Sequence, residues 1–289
     1  MTSESNVADD DDRSICDVNE LSGVRDDYPD PLAVLAAFGL PGRPIDLTPA
    51  PGGWSNSVYR LRTDHGDYAV KALRNPWGEP RWQQWLEESW RLEIAAGAAE
   101  VAMPRPIAEP VRGGCVAFVD RADGSGGLPV RIHHWVDGTP LASGPVDLEV
   151  AAWAGRTLAR VHGLGLKPLD PELFRVAGSA SAQAWPDLVE RARSAGTGWA
   201  ALLAAANPWV ERMTDLFVAV RDESTVMSHG DVGQRNVLVT AAGPLLCDWD
   251  VAMPVVPAHD LAHVAVSLAA WRDKAVARTV VRAYADWLS

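Results

Sequence analysis

The chain has 289 residues, 47% hydrophobic and 22% charged, enough to bury a sizeable core in one large domain or two smaller ones. Residues 1–30 hold ten acidic and two basic side chains and carry −8 of the formal net charge of −12; residues 31–289, with 28 acidic and 24 basic, carry only −4. That balance argues against a nucleic-acid partner, which calls for a basic face, and no apolar run nears the roughly 20 residues of a membrane-spanning helix. Three scattered cysteines, Cys16, Cys115 and Cys247, make neither a disulfide framework nor a CxxC metal motif. The expectation is a reduced, cytoplasmic protein, monomer or homodimer, with no membrane partner.

Residues 1–30 read as an acidic, unstructured leader. "PLAVLAAFGL" then predicts a short helix closed by Gly39 and Pro41. From Ile45 the texture turns to strands: Val58–Arg62 and Asp67–Leu73 alternate around the turn "TDHGD". Residues 80–99 place Trp82, Leu86, Trp90, Ile94 and Ala98 at helical spacing, which predicts a helix buried along that stripe. "MPRPIAEP" breaks it, and "GCVAFVD" and "PVRIHHWV" follow as strands. Paired His133 and His134 do not suggest zinc, because neighbours on a strand point to opposite faces.

Beyond "VDGTP" the pattern becomes helical: "DLEVAAWAGRTLARVHGLG", residues 185–222 with a break near Asn207–Pro208, and the final "PAHDLAHVAVSLAAWRDKAVARTVVRAYADWLS". The expected fold class is α+β: a two-lobed chain with an N-terminal antiparallel β-sheet lobe carrying one helix (31–135) and a larger, mainly helical C-terminal lobe (136–289).

Between those helical stretches lies "SHGDVGQRNVLVTAAGPLLCDWD", residues 228–250. Asp231 and Asn236 stand five apart, and an apolar hairpin returns to Asp248 twelve residues later. A tight loop can aim one carboxylate at a substrate hydroxyl and an amide oxygen at a metal, while the return strand delivers a second carboxylate to that metal. Phosphoryl transfer needs that arrangement.

These residues resemble the signature of the aminoglycoside phosphotransferase and choline kinase superfamily, which shares the protein-kinase-like fold. The resemblance implies that Asp231 orients the acceptor hydroxyl, that Asn236 and Asp248 hold Mg²⁺, that His229 structures the loop and that Asp250 supports it from behind. It implies a strand lysine for the phosphates of ATP or GTP, and "YAVKAL" supplies Lys71 beside the small Ala69. A glutamate of the following helix should hold that lysine: Glu87, Glu88 and Glu93 compete, and Glu93 shares the apolar stripe.

"GGWSNSVYRL" takes the place of the phosphate-covering turn, with Ser55, Asn56 and Ser57 as contacts; no GKS or GKT motif occurs, so a P-loop kinase is excluded. "RIHHWVDGTPL" resembles the connection that pairs with adenine, with His133 gating the pocket and His134, Trp135 and Val136 beside the base, Leu238 and Cys247 completing the nucleotide set. His162 and Asp260 are expected to brace the loop. Arg235, directly before Asn236, departs from the usual small residue and is a candidate for a phosphate or an anionic acceptor. The short segment between Asp248 and "HDLA" leaves no platform for a protein substrate, so the expected partner is a small-molecule hydroxyl acceptor: an antibiotic first, a sugar, choline or homoserine-type metabolite second. A catalytically silent nucleotide-binding regulator is the last alternative.

Overall fold

Asp30 opens the first helix, its carboxylate accepting the Leu32 amide at 2.9 Å, and Pro31 pre-sets the first turn of α1 (Pro31–Ala37). The computed structural model describes residues 27–50, 56–74, 80–174, 184–212 and 225–289. Helix α1 leans on a wholly antiparallel sheet of β1 (Pro44–Pro49), β2 (Ser57–Thr63), β3 (Asp67–Ala72), β4 (Pro106–Ile107), β5 (Ala117–Asp120) and β6 (Gly127–His134). The order is β1-β2-β3-β6-β4, with β5 pairing β6 as well. Alternate residues of the strands, Tyr59, Leu61, Val70, Val130 and Ile132, bury against Val34, Leu35 and Phe38 of the helix and its cap.

The leader boundary at residue 30 needs correcting. Asp27 is buried, with its carboxylate taking the hydroxyls of Ser57 and Tyr59 and the Arg74 guanidinium. Tyr28 donates to the Leu47 carbonyl at 2.5 Å, and Pro29 bridges to Arg121. Residues 27–30 are thus part of the sheet lobe; the rest of the leader lies outside the described residues.

After β3 comes α2 (Trp82–Ala98). Its buried side is Leu86, Ser89, Leu92, Glu93 and Ala96, not the stripe read from the sequence: Ile94 is exposed and Leu92 fully buried. The face turned about one residue because α2 packs against two things at once. Leu92 and Ala96 enter the core of the helical lobe, and Leu86 joins Leu73 and Cys115 on the sheet side.

The chain leaves the sheet after His134. Asp147 caps α3 (Leu148–Gly163) through the Val150 amide at 2.8 Å. Then follow α4 (Ala184–Ser194), α5 (Ala200–Ala205), a further helical stretch at 207–212, α6 (Pro257–Leu268) and α7 (Lys274–Leu288). Within residues 185–212 the helix is broken at 195–199 and again at Ala206, beside the expected Asn207–Pro208; residues 213–222 lie outside the described residues. Helices α3 and α7 approach so closely that a Cβ on Gly155 would lie 2.3 Å from the Val280 carbonyl oxygen. Two small sheets complete the lobe: β7 (Thr139–Pro140) with β9 (Val237–Thr240) and β10 (Gly243–Leu246), and β8 (Val226–Ser228) with β11 (Met253–Val255). The architecture is the expected α+β one, an antiparallel-sheet lobe and a helical lobe. No helix among the described residues is long and apolar enough to cross a membrane.

Candidate active site

The loop between β8 and β9 is built on a buried histidine. His229 is fully buried; its Nδ1 accepts the Asp231 amide at 3.3 Å, which assigns the proton to Nε2, and Nε2 donates to the Cys247 carbonyl at 3.0 Å. Trp249 packs edge-on against the ring at 4.8 Å. Burial lowers the His229 pKa, so the imidazole is neutral and serves as a strut between the loop and the end of β10.

Asp231 is exposed, and Asn236 fixes it. The Asn236 amide nitrogen donates to both the Asp231 carbonyl and its Oδ2, each at 2.8 Å. That leaves Asp231 Oδ1 and Asn236 Oδ1 without a protein donor among the described residues. The hairpin register does the rest. Val237 pairs with Leu246, and the Cys247 amide donates to the Asn236 carbonyl at 2.9 Å, so Asn236 lies across from Cys247 and next to Asp248.

Asp248 sits in the left-handed region, φ 69° and ψ 59°, which turns the chain at the end of the hairpin; Asp tolerates that region better than most residues. Asn236 and Asp248 are oxygen donors of the hard kind that Mg²⁺ takes. Among the described residues no group of three or more His, Cys, Asp or Glu is arranged to hold a metal. An ion at Asn236 and Asp248 would therefore draw its remaining ligands from phosphate oxygens and water, as Mg²⁺ does in nucleotide sites.

The expected Lys71–Glu93 pair is not formed. Lys71 Nζ donates to Asp248 Oδ1 at 2.5 Å and to Asp250 Oδ2 at 2.7 Å. Burial alone would lower the Lys71 pKa, but Asp250 and Asp248 outweigh it and hold the ammonium protonated. Glu93 is fully buried and bound instead by the Arg131 guanidinium and by His133 Nε2, at 2.8 Å. Arg131, 1% exposed, reaches Asp250 with its other nitrogen. Burial would raise Glu93 and Asp250, yet their neighbours win: the Arg131 guanidinium and the His133 hydrogen bond lower Glu93, and Lys71 and Arg131 lower Asp250. Glu88, which competed with Glu93, does not reach Lys71 either: it is buried, pairs with Arg91 and accepts the Leu169 amide at 2.6 Å.

The nucleotide candidates divide. Asn56 bridges the lobes, Nδ2 to Asp250 at 3.2 Å and Oδ1 from the Arg74 amide at 2.9 Å. Ser57 spends its hydroxyl on Asp27, and Ser55 lies outside the described residues. Ala69 pairs with His133, whose ring turns to Glu93 rather than standing free as a gate. The His134 amide donates to the Arg105 carbonyl and the Trp135 amide to that of Asp67, both at 2.9 Å, while Val136 has no backbone partner among the described residues. Leu238 lies beneath this connection, 3.2 Å from where a Gly138 Cβ would stand. Cys247 is half-buried, and burial and Asp248 push its thiol up to about 11. Arg235 is exposed, with no ion-pair partner among the described residues.

Behind the loop, His162 at the end of α3 contacts Tyr284 Oη (2.8 Å), Asp260 Oδ2 (3.0 Å) and Ser228 Oγ (3.2 Å), and Ser228 donates to Asp260 at 2.6 Å. Ser, His and Asp are the residue types of a nucleophilic triad, but Ser228 is fully buried, so this is a brace tying α3, α6 and α7 to the strand that precedes His229. Sequence reasoning missed Arg131. Its signal was a lone cation between Val130 and Ile132 in an apolar strand.

A family model described as the phosphotransferase enzyme family matches residues 46–289. Among solved structures, a spectinomycin phosphotransferase, APH(9)-Ia, in complex with ADP and spectinomycin is similar at TM-score 0.59 and 12% identity, over 87% of this chain and 77% of that one. An amicoumacin kinase, hAmiN, in complex with AMP-PNP, Ca²⁺ and Ami gives 0.58 and 11%, over 85% and 72%. A choline kinase from Cryptosporidium parvum Iowa II gives 0.55 and 12%, over 84% and 72%. No curated protein sequence matches.

Proposed function

As the chain belongs to the phosphotransferase enzyme family, and so is a small-molecule phosphotransferase, we propose that it moves the γ-phosphoryl group of ATP or GTP to a hydroxyl of an antibiotic. The observation that carries the reaction type is the Asn236 clamp on Asp231. One carboxylate oxygen and the loop carbonyl are fixed by one amide, and the other carboxylate oxygen remains to meet a hydroxyl. Asp231 places the acceptor oxygen in line and takes its proton as the bond to phosphorus forms. Asn236 and Asp248 hold a divalent cation, which when bound neutralises phosphate oxygens. Lys71 supplies a fixed positive charge for the phosphates, and Val136 offers an unpaired backbone to the base. His229 keeps Asp231 and Asp248 in one frame through its two ring nitrogens.

The likeness in fold to a spectinomycin phosphotransferase and an amicoumacin kinase supports an antibiotic acceptor. The likeness to a choline kinase supports a second reading, a metabolic kinase for a choline, sugar or homoserine-type alcohol. Purified protein with Mg·ATP and a panel of hydroxylated antibiotics and metabolites separates them by which acceptor drives ADP release. Asp231→Asn is expected to cut turnover by about 10²–10⁴ while nucleotide affinity stays within about threefold of the unaltered chain, since no nucleotide contact is assigned to Asp231. Loss of nucleotide binding in that variant, or acceptor-independent nucleotide binding with no ADP release across the panel, would count against the reading.

A further inference from the structure

Lys71 on β3 and Arg131 on β6 are directly paired across the sheet. Directly opposed residues of an antiparallel pair hold their Cβ atoms about 5 Å apart on one face, and like charges there repel. Both cations are nonetheless buried, Arg131 at 1% exposure and the Lys71 side chain at 13%. The anion between them is Asp250. Its carboxylate takes Lys71 at 2.7 Å, Arg131, and the Asn56 amide at 3.2 Å. Three donors on two oxygens leave it little capacity for a metal. Arg131 carries the connection on to Glu93, and Glu93 to His133.

From this geometry we infer that, of the two carboxylates on Lys71, Asp250 is the one that positions it by tying it to the sheet and α2, Asp248 being its other contact, and that Arg131 is the positioning residue that locks Asp250 to α2 through Glu93. The role of Lys71 toward phosphate rests on the proposed phosphotransfer; the pairing itself does not. Arg131 explains why Glu93 fails to reach the lysine. Its guanidinium takes one Glu93 oxygen with one nitrogen and Asp250 with the other, His133 takes the second Glu93 oxygen, and the Lys71 ammonium is already engaged by Asp248 and Asp250. The link between α2 and the lysine therefore runs through two more side chains than a direct pair would need. It ends on a residue two positions from Asp248, on the same turn. Ser89 and Trp85 of α2 reinforce that turn by donating to the Asp250 and Ala252 carbonyls at 3.3 and 2.8 Å.

The chain contains only three lysines, Lys71, Lys167 and Lys274, so side-chain NMR of lysine-labelled full-length protein reads Lys71 directly once Lys71→Arg has identified its signal. Asp250→Asn is expected to move the Lys71 signal and Glu93→Gln to leave it nearly in place. The double variant Arg131→Met with Glu93→Gln, which removes one buried charge of each sign and so keeps the cluster balanced, is expected to move it as well. Mg·ATP affinity by calorimetry should fall about tenfold in Asp250→Asn and in the double variant, and the Asp250→Asn effect should vanish in a Lys71→Met background, the mark of two residues acting as one. A Lys71 signal that follows Glu93→Gln and ignores both Asp250→Asn and the double variant would overturn the inference. The NMR readout contains no nucleotide, so a failed acceptor screen leaves this test intact. Should Asp250→Asn not fold, the double variant carries it.

Discussion

At the residue scale, His229 is the side chain whose environment makes a sign-definite demand. Burial lowers its pKa below the unfolded value of about 6.5, so the unfolded chain binds the proton more readily than the native one. The stability that depends on a neutral His229 is therefore fully present above about pH 6.5 and is lost as pH falls through the lower native value. Melting temperature measured across pH 5–8 should decline on the acid side of about 6.5. His229→Gln keeps a donor for the Cys247 carbonyl but cannot take a proton, so it should flatten that slope while costing about 1 kcal/mol at pH 8 for the imperfect bond. An unchanged acid slope in the variant would show that another group titrates.

At the element scale, α3 and α7 are set by a single missing side chain. Ala at position 155 would gain up to about 1 kcal/mol in helix propensity. Its methyl would also stand 2.3 Å from the Val280 carbonyl oxygen and 3.0 Å from the Tyr284 amide nitrogen. Those are backbone atoms and cannot rotate away, so the helices must part, at a cost of about 1–3 kcal/mol. The contact wins, and Gly155→Ala should lower the urea midpoint. Because α7 carries Tyr284 to His162, the brace behind the loop should loosen too, with turnover falling more than nucleotide affinity. The same scale shows where sequence reading ran out. Asp231, Asn236, Asp248 and Lys71 were legible because their spacing along one hairpin and one strand carries the geometry. The partner of Lys71 was not, since the register that sets Arg131 opposite it joins strands sixty residues apart. Helix α2 misled for a similar reason: the 3.6-residue period located a stripe, but two cores compete for the helix, and Glu88 is drawn inside by the Leu169 amide.

For the whole molecule, that shared helix decides how the lobes fail. Leu92 and Ala96 belong to the helical lobe's core, Leu86 to the sheet side, and the Lys71–Asp250–Arg131–Glu93 chain crosses the same boundary. Unfolding one lobe would strip α2 of half its burial and leave buried charges unpaired, so heating should give a single calorimetric transition with matching calorimetric and van't Hoff enthalpies. Two resolved transitions would mean the lobes are independent. The small cluster around Asp27 bears on anyone preparing a trimmed version of this protein. Cutting ahead of Pro31, where the acidic composition invites the scissors, would discard the carboxylate that Ser57, Tyr59 and Arg74 share and the Tyr28 ring that stacks edge-on against Tyr59. The safer place to trim lies ahead of Asp27, so that β2, which begins at Ser57, keeps its anchor.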